Sequence, residues 1–222
     1  MGIAERISAI RSTLTDGVKL IAVSKFHPAD AVMEAYNADQ RDFGESRVQE
    51  LSTKAPSLPD DIHWHFIGHL QTNKVRQLIP HVDTIQSVDS LRLLRLIDSE
   101  AARIGRTVNV MMQVHVALEE TKFGFAPEEL LAELTPDVLS QLRNVTVTGI
   151  MGMASNTDDT ARVEADFEAL AAVWTQLKDG VMATNDAFRE LSMGMSHDYT
   201  LAMRHGATMV RIGTDIFGER QY

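Results

Sequence analysis

Short apolar, β-branched runs alternate with amphipathic stretches along the whole chain. The runs fall at 18–25, about 41–45, 62–69, 82–88, 107–117, 145–153, about 190–195 and 208–214. Each has the length and composition of a buried strand. The stretches between them carry helical spacing. In "SLRLLRLIDSEAARIG", Leu91, Leu94, Ile97, Ala101 and Ile104 fall on one face, with Asp89 or Ser90 to cap the start and Gly105 to close the end. "RVEADFEALAAVWTQLKDG" repeats the pattern with Val163, Phe167, Leu170, Trp174 and Leu177. A further helix, about 2–14, precedes the first strand. Strand–helix alternation predicts an α/β fold with a parallel sheet and crossover helices. Eight such units without a linker predict a closed (β/α)₈ barrel with an extra N-terminal helix, although a seven-strand open sheet would read similarly. The 222 residues suit a single domain, 1–222.

In a barrel of this kind chemistry gathers at the C-terminal ends of the strands. Strand one, "VKLIAVSK", ends at Lys25, on the same face as Ile21 and Val23. Lysine is among the residues least often buried. Desolvation at a barrel mouth frees its neutral amine as a nucleophile toward a carbonyl, whereas a lysine that snorkels to water does nothing of the kind. "MGMS" leads at once into a helical pattern, which puts the amides near Ser196 at a helix start. Gly213 and Thr214 end the neighbouring strand. Together these positions read either as an anion cradle or as two tight strand-to-helix turns. Arg211 shares a strand face with Gly213 and must meet a ligand acceptor or an internal carboxylate, because a lone buried guanidinium is costly.

Three histidines, His63, His65 and His69, invite a metal reading, but no carboxylate follows at ligand spacing and the chain has no cysteine. Strand packing accounts for them, and no metal site is expected. The absence of cysteine also removes disulfides and thiol nucleophiles. A formal net charge of -10 without a long basic run argues against nucleic acid as partner. No segment is apolar for long enough to span a membrane and the N-terminus is not a signal peptide, so a cytoplasmic protein is expected.

Six stretches, "IAVSKFHP", "DFGES.VQE", "HWHFIGHLQTNKV", "TKFGF", "GIMGM" and "SMGMSHDYTLAMRHGATMVRIGTDIFGER", follow one another in the order and spacing of a known family. Together they resemble the pyridoxal phosphate homeostasis proteins, a family similar to the N-terminal barrel of alanine racemase. The resemblance implies that the cofactor pyridoxal 5′-phosphate is held as a Schiff base by Lys25. It also implies that its phosphate lies at Ser196, Gly213 and Thr214, across the mouth from Lys25, and that Arg211 faces the pyridine nitrogen. Where the family usually has an asparagine after "GE", this chain has Ser46 followed by Arg47, which puts that residue's polar contact in doubt.

An arginine only donates, so the pyridine nitrogen facing it stays unprotonated and the ring is a poor electron sink. Alanine racemases pair a lysine with a tyrosine from a second domain. This chain ends soon after the eighth predicted strand, and Tyr36, Tyr199 and Tyr222 occupy no evident catalytic context. The expectation is a monomeric carrier in intracellular cofactor homeostasis, with apo pyridoxal-phosphate enzymes as recipients, no catalytic residues and no robust turnover. A racemase using Lys25 as base is the alternative. A Schiff-base aldolase barrel is a third reading.

Overall fold

The computed structural model describes residues 1–119 and 123–219. Its elements, in chain order, are α1 (Ile3–Arg11), β1 (Lys19–Val23), α2 (Ala29–Asn37), β2 (Asp42–Glu45), α3 (Val48–Lys54), β3 (His63–Phe66), α4 (Val75–Leu78), β4 (Thr84–Val88) and α5 (Leu91–Arg103). The second half runs β5 (Val108–His115), α6 (Pro127–Glu133), α7 (Pro136–Gln141), β6 (Val145–Met153), α8 (Thr160–Asp179), β7 (Glu190–Ser192), α9 (Tyr199–Arg204), β8 (Met209–Ile212) and α10 (Thr214–Phe217). The strands pair in parallel in sequence order, and β8 closes onto β1 with Lys19 opposite Met209 and Ile21 opposite Arg211. The open-sheet alternative is therefore excluded, and all eight predicted strands are present.

Alternation along each strand divides the side chains between two environments. Leu20 and Ala22 of β1 face outward into the main core shared with the helices, while Ile21 faces inward beside Met111, Met151 and Met209. The helices cover the outer face with the stripes their spacing predicts. The Ser90 hydroxyl accepts a hydrogen bond from the Leu93 amide to cap α5, which buries Leu93, Leu94, Ile97 and Ala101. Each such Leu or Ile contributes about 1.5–3 kcal/mol through the water it sheds. Ile104, predicted on this face, is instead exposed, because α5 ends one residue earlier and the chain turns at Gly105, whose φ is +64°. Trp174 of α8 is half-buried where Val173 takes the core position.

Two further differences bear on the mouth of the barrel. Strand β1 stops at Val23, so Lys25 stands in a turn two residues beyond the ladder. The helix after "MGMS" begins at Tyr199 rather than at Ser196, because the Asp198 carboxylate accepts the Met195 amide at 2.5 Å and holds the intervening residues in a turn.

Candidate functional site

The C-terminal end of the barrel opens into a cavity of about 280 Å³, lined by Lys25, Ser196, Arg211, Gly213 and Thr214 among others. The fold therefore brings all five residues singled out from sequence to one place. Lys25 is half-buried, on the inward side it shares with Ile21 and Val23. Its backbone is clamped on both sides. The Ser24 amide donates to the Gly44 carbonyl at 3.0 Å, and the Ser24 hydroxyl donates to Glu45 Oε1 at 2.7 Å. The buried Lys54 ammonium donates to the Ser24 carbonyl at 2.9 Å, and the Phe26 amide donates to Glu50 Oε1 at 2.6 Å. Phe26 adopts a φ of +69°, uncommon for a residue with a side chain, and the Arg47 guanidinium lies over its ring at 4.5 Å.

Lys54 also donates to Glu45 at 2.7 Å and to Glu50 at 2.6 Å. Burial pushes the Glu45 carboxyl above its ordinary value, and the Lys54 charge opposes that shift without cancelling it. Sequence reading passed over this clamp. Its signal was a lysine, Lys54, placed i,i+4 to Glu50 and one turn behind the mouth.

Ser46, at the position of the sequence departure, lines the cavity, so a polar group is kept there. It lies directly under Gly68, where a Cβ would run into the Ser46 carbonyl, so the β2 and β3 ends approach more closely than any other residue would allow.

The ends of β7 and β8 supply donors. Among the described residues, no hydrogen bond takes up the amides of Ser196, Gly213 or Thr214. A Cβ on Gly213 would lie 3.1 Å from the Val23 carbonyl oxygen, so glycine lets this turn close against β1. Because β8 pairs with β1, these donors lie beside Lys25 around the rim and not across the mouth from it, as the sequence reading had it.

Arg211 is 4 % exposed. The internal carboxylate expected as one of its two alternatives is not among the described residues within ion-pair distance: its Nη1 donates to the Ser192 hydroxyl at 2.6 Å and its Nη2 to the Gly152 carbonyl at 2.8 Å. Burial pushes its pKa down to about 10, with the charge of Asp198 acting in the opposite sense. The guanidinium still carries its charge at neutral pH. Ser192 was not singled out from sequence, although a serine in an apolar strand was a usable signal.

The histidines serve elsewhere. His65 Nε2 and His63 Nδ1 lie 3.2 and 3.6 Å from Asp42 Oδ1 at the other end of the barrel, while His69 meets Asp89 at 3.1 Å and stacks on Phe123. Among the described residues, no three His, Asp or Glu side chains come together in a way that would hold a metal. Thr121 and Lys122 of "TKFGF", Arg220 of the last motif and Tyr222 lie outside the described residues.

A parallel eight-stranded barrel with a lysine, a buried arginine and unengaged backbone amides at one mouth defines a class, and comparison with known proteins agrees. The alanine racemase N-terminal domain family matches over residues 2–221. A Schizosaccharomyces pombe pyridoxal phosphate homeostasis protein is 37% identical over 206 residues, covering 91% of this chain and 84% of its own. The human protein of that name is 40% identical over 214 residues, covering 92% of this chain and 77% of its own. The solved structure of PipY from Synechococcus elongatus without PLP is 42% identical and superposes with a TM-score of 0.91 over 97% of this chain and 100% of that one. PipY has also been solved with PLP bound, at a TM-score of 0.87. The chain belongs to the pyridoxal phosphate homeostasis protein family.

Proposed function

We propose that this chain binds pyridoxal 5′-phosphate at the barrel mouth and acts as a carrier in the cofactor's intracellular homeostasis, without robust turnover. The observation that supports this reading best is electrostatic. The chain has a net charge of -10, yet the mouth is lined by Lys25 and Arg211 and by no described carboxylate. A cavity of that sign, with amides unengaged on one rim and methionines on its wall, fits a flat, anionic aromatic aldehyde.

In this reading the phosphate takes the amides and hydroxyls of Ser196 and Thr214 and the amide of Gly213. Met151 and Met153 supply an adaptable apolar wall. Arg211 points its donors at the pyridine nitrogen, and the clamp of Ser24, Glu45, Lys54 and Glu50 fixes the turn from which Lys25 forms the imine. When bound, the cofactor supplies an electrophilic aldehyde and a conjugated ring. Arg211 limits what the ring does, because a group that only donates leaves the facing nitrogen its lone pair.

A racemase also needs a proton donor on the second face of the substrate, worth about 10²–10⁴-fold in rate. The described tyrosines are engaged elsewhere: the Tyr36 hydroxyl donates to Asp61 at 2.7 Å, and Tyr199 meets the Thr13 hydroxyl at 2.9 Å. No described helix is long and apolar enough to cross a membrane. We place this single-domain protein in the cytoplasm as a monomer, with apo enzymes of the same cofactor as recipients.

The test is the absorbance spectrum of the purified protein mixed with pyridoxal 5′-phosphate, before and after borohydride, with the reduced adduct mapped by mass spectrometry. A band lost on reduction, with the adduct on Lys25, is the expected result. An adduct on another lysine overturns the site. Chiral analysis of L-alanine incubated with the loaded protein should show no racemisation. Turnover on the order of one per second, dependent on Lys25, would establish the racemase instead.

A further inference from the structure

A barrel interior is usually filled by branched apolar side chains. Here the inward apolar cluster is small, Ile21 with Met111, Met151 and Met209, and a polar line runs beside it. From the mouth downward, Arg211 Nη1 lies 2.6 Å from Ser192 Oγ, and Ser192 Oγ lies 2.7 Å from Gln86 Oε1. Gln86 Nε2 lies 3.0 Å from His65 Nδ1, and His65 Nε2 lies 3.2 Å from Asp42 Oδ1. Ser192 and Gln86 are fully buried and His65 is 2 % exposed. None of their polar side-chain atoms is left unsatisfied, whereas Oε2 of Glu45, outside this line, is.

The chemistry gives the line one direction. A guanidinium has no acceptor, so Ser192 Oγ must accept from Arg211, and its own proton is then free to point at the Gln86 carbonyl oxygen. With that oxygen engaged, the amide of Gln86 faces His65. His65 Nδ1 must therefore be a lone pair, and the ring proton sits on Nε2, where it meets the Asp42 carboxylate. Reversing any one link puts two donors or two acceptors face to face further along.

Filling these positions with apolar residues would avoid burying three polar side chains, and such groups cost free energy unless all their partners are in place. Apolar filling would also leave the Arg211 Nη1 donor without an acceptor. We infer that Ser192, Gln86 and His65 are positioning residues for Arg211. They form one directional hydrogen-bond chain, anchored on Asp42 at the far end of the barrel, that fixes the guanidinium against the ligand. This inference rests on the pyridoxal-phosphate reading of the mouth.

The test uses the full-length ¹⁵N-labelled protein, with the imidazole nitrogens of His65 read by NMR and the imine by absorbance. In the protein without ligand, His65 should carry its proton on Nε2. Adding pyridoxal 5′-phosphate should shift the His65 Nδ1 resonance, although that atom lies three hydrogen bonds from the guanidinium. In Ser192→Ala the shift should vanish, while the imine still forms at Lys25 and the dissociation constant rises roughly tenfold. Gln86→Met breaks the next link without emptying its volume, and it carries the test if Ser192→Ala fails to fold. A proton on Nδ1, or a His65 response that survives in a folded variant, overturns the chain. An imine band with a silent His65 in the unmodified protein overturns this inference alone. Absence of any imine band overturns the cofactor reading and this inference with it.

Discussion

The barrel has a cavity at each end, and β1 places a lysine at both: Lys19 where the strand begins and Lys25 just beyond where it stops. The lower cavity, about 350 Å³, mixes Lys19 and Arg189 with Asp42, Asp83 and Glu190. Lys19 lies 3.8 Å from Asp42 and has 42 % of its side chain exposed. The upper cavity has two cations, no described carboxylate in its lining and a rim of unengaged amides. Two lysines, one at the start of β1 and one in the turn that follows it, thus differ through their surroundings. Charges of both signs share the lower end, whereas among the described lining residues of the upper end Lys25 and Arg211 face no carboxylate, as the proposed anionic ligand requires.

The largest expected effect separates the two lysines. Lys25→Ala should abolish the borohydride-trapped adduct and the imine band, because among the described residues no other lysine lines that mouth. The variant should still fold, because a half-buried side chain in a turn contributes little to the core. Lys19→Ala should leave band and adduct unchanged. Loss of the adduct in both variants, or in neither, would erase the contrast between the two ends. Circular dichroism of each variant guards against unfolding as the cause.

The rim donors come next. Ser196→Ala and Thr214→Ala each remove one hydroxyl from a charged acceptor, a bond worth about 1.5–3 kcal/mol. Retention measured by equilibrium dialysis should fall about tenfold or more in each and further in the double variant, while the amides hold a remnant. Unchanged retention in the double variant would move the phosphate away from β7 and β8.

How much of this was legible beforehand varied with what each feature depends on. All eight strands were readable because buried parallel strands are continuous apolar runs with few other interpretations. The five mouth residues were readable because they sit in or just after the last residues of predicted strands β1, β7 and β8, where the barrel puts its chemistry. Arg211's partners were not readable. A buried guanidinium usually finds a carboxylate, and that Ser192 and a carbonyl of β6 replace it depends on how β6, β7 and β8 are set around the closed barrel. Nor was the start of α9, which Asp198 decides by capturing the Met195 amide: a local side-chain bond overrode the helical pattern. The expectation that Gly213 and Thr214 lie across the mouth from Lys25 did not carry the predicted closure through: in a closed barrel the last strand is the neighbour of the first.

The smallest effect contrasts the ends through two carboxylates on one strand. Asp42 and Glu45 of β2 have opposite shifts. Burial pushes both upward. At Asp42 the hydrogen bond from His65, with the charge of Lys19, outweighs it and leaves the carboxyl below its usual value. At Glu45 burial prevails over Lys54 and Ser24. The consequences for stability have opposite signs. A depressed carboxyl contributes stability that is fully present above the unfolded value of about 4 and is lost as the pH falls through its folded value. A raised one contributes stability that is present below its unfolded value and is lost as the pH rises through the folded value. Urea unfolding from pH 3 to 7 should therefore show a shallower acid-side loss in Asp42→Asn than in the unmodified protein. Glu45→Gln should remove part of the decline that develops as the pH rises from about 4 toward neutrality. The slopes carry the comparison, because each substitution also alters the absolute stability, and Glu45→Gln leaves Lys54 paired with Glu50 alone. Parallel curves for Asp42→Asn and the unmodified protein would mean that Asp42 does not hold its charge against His65 and Lys19, and the matched-charge account of the lower end would fall with it.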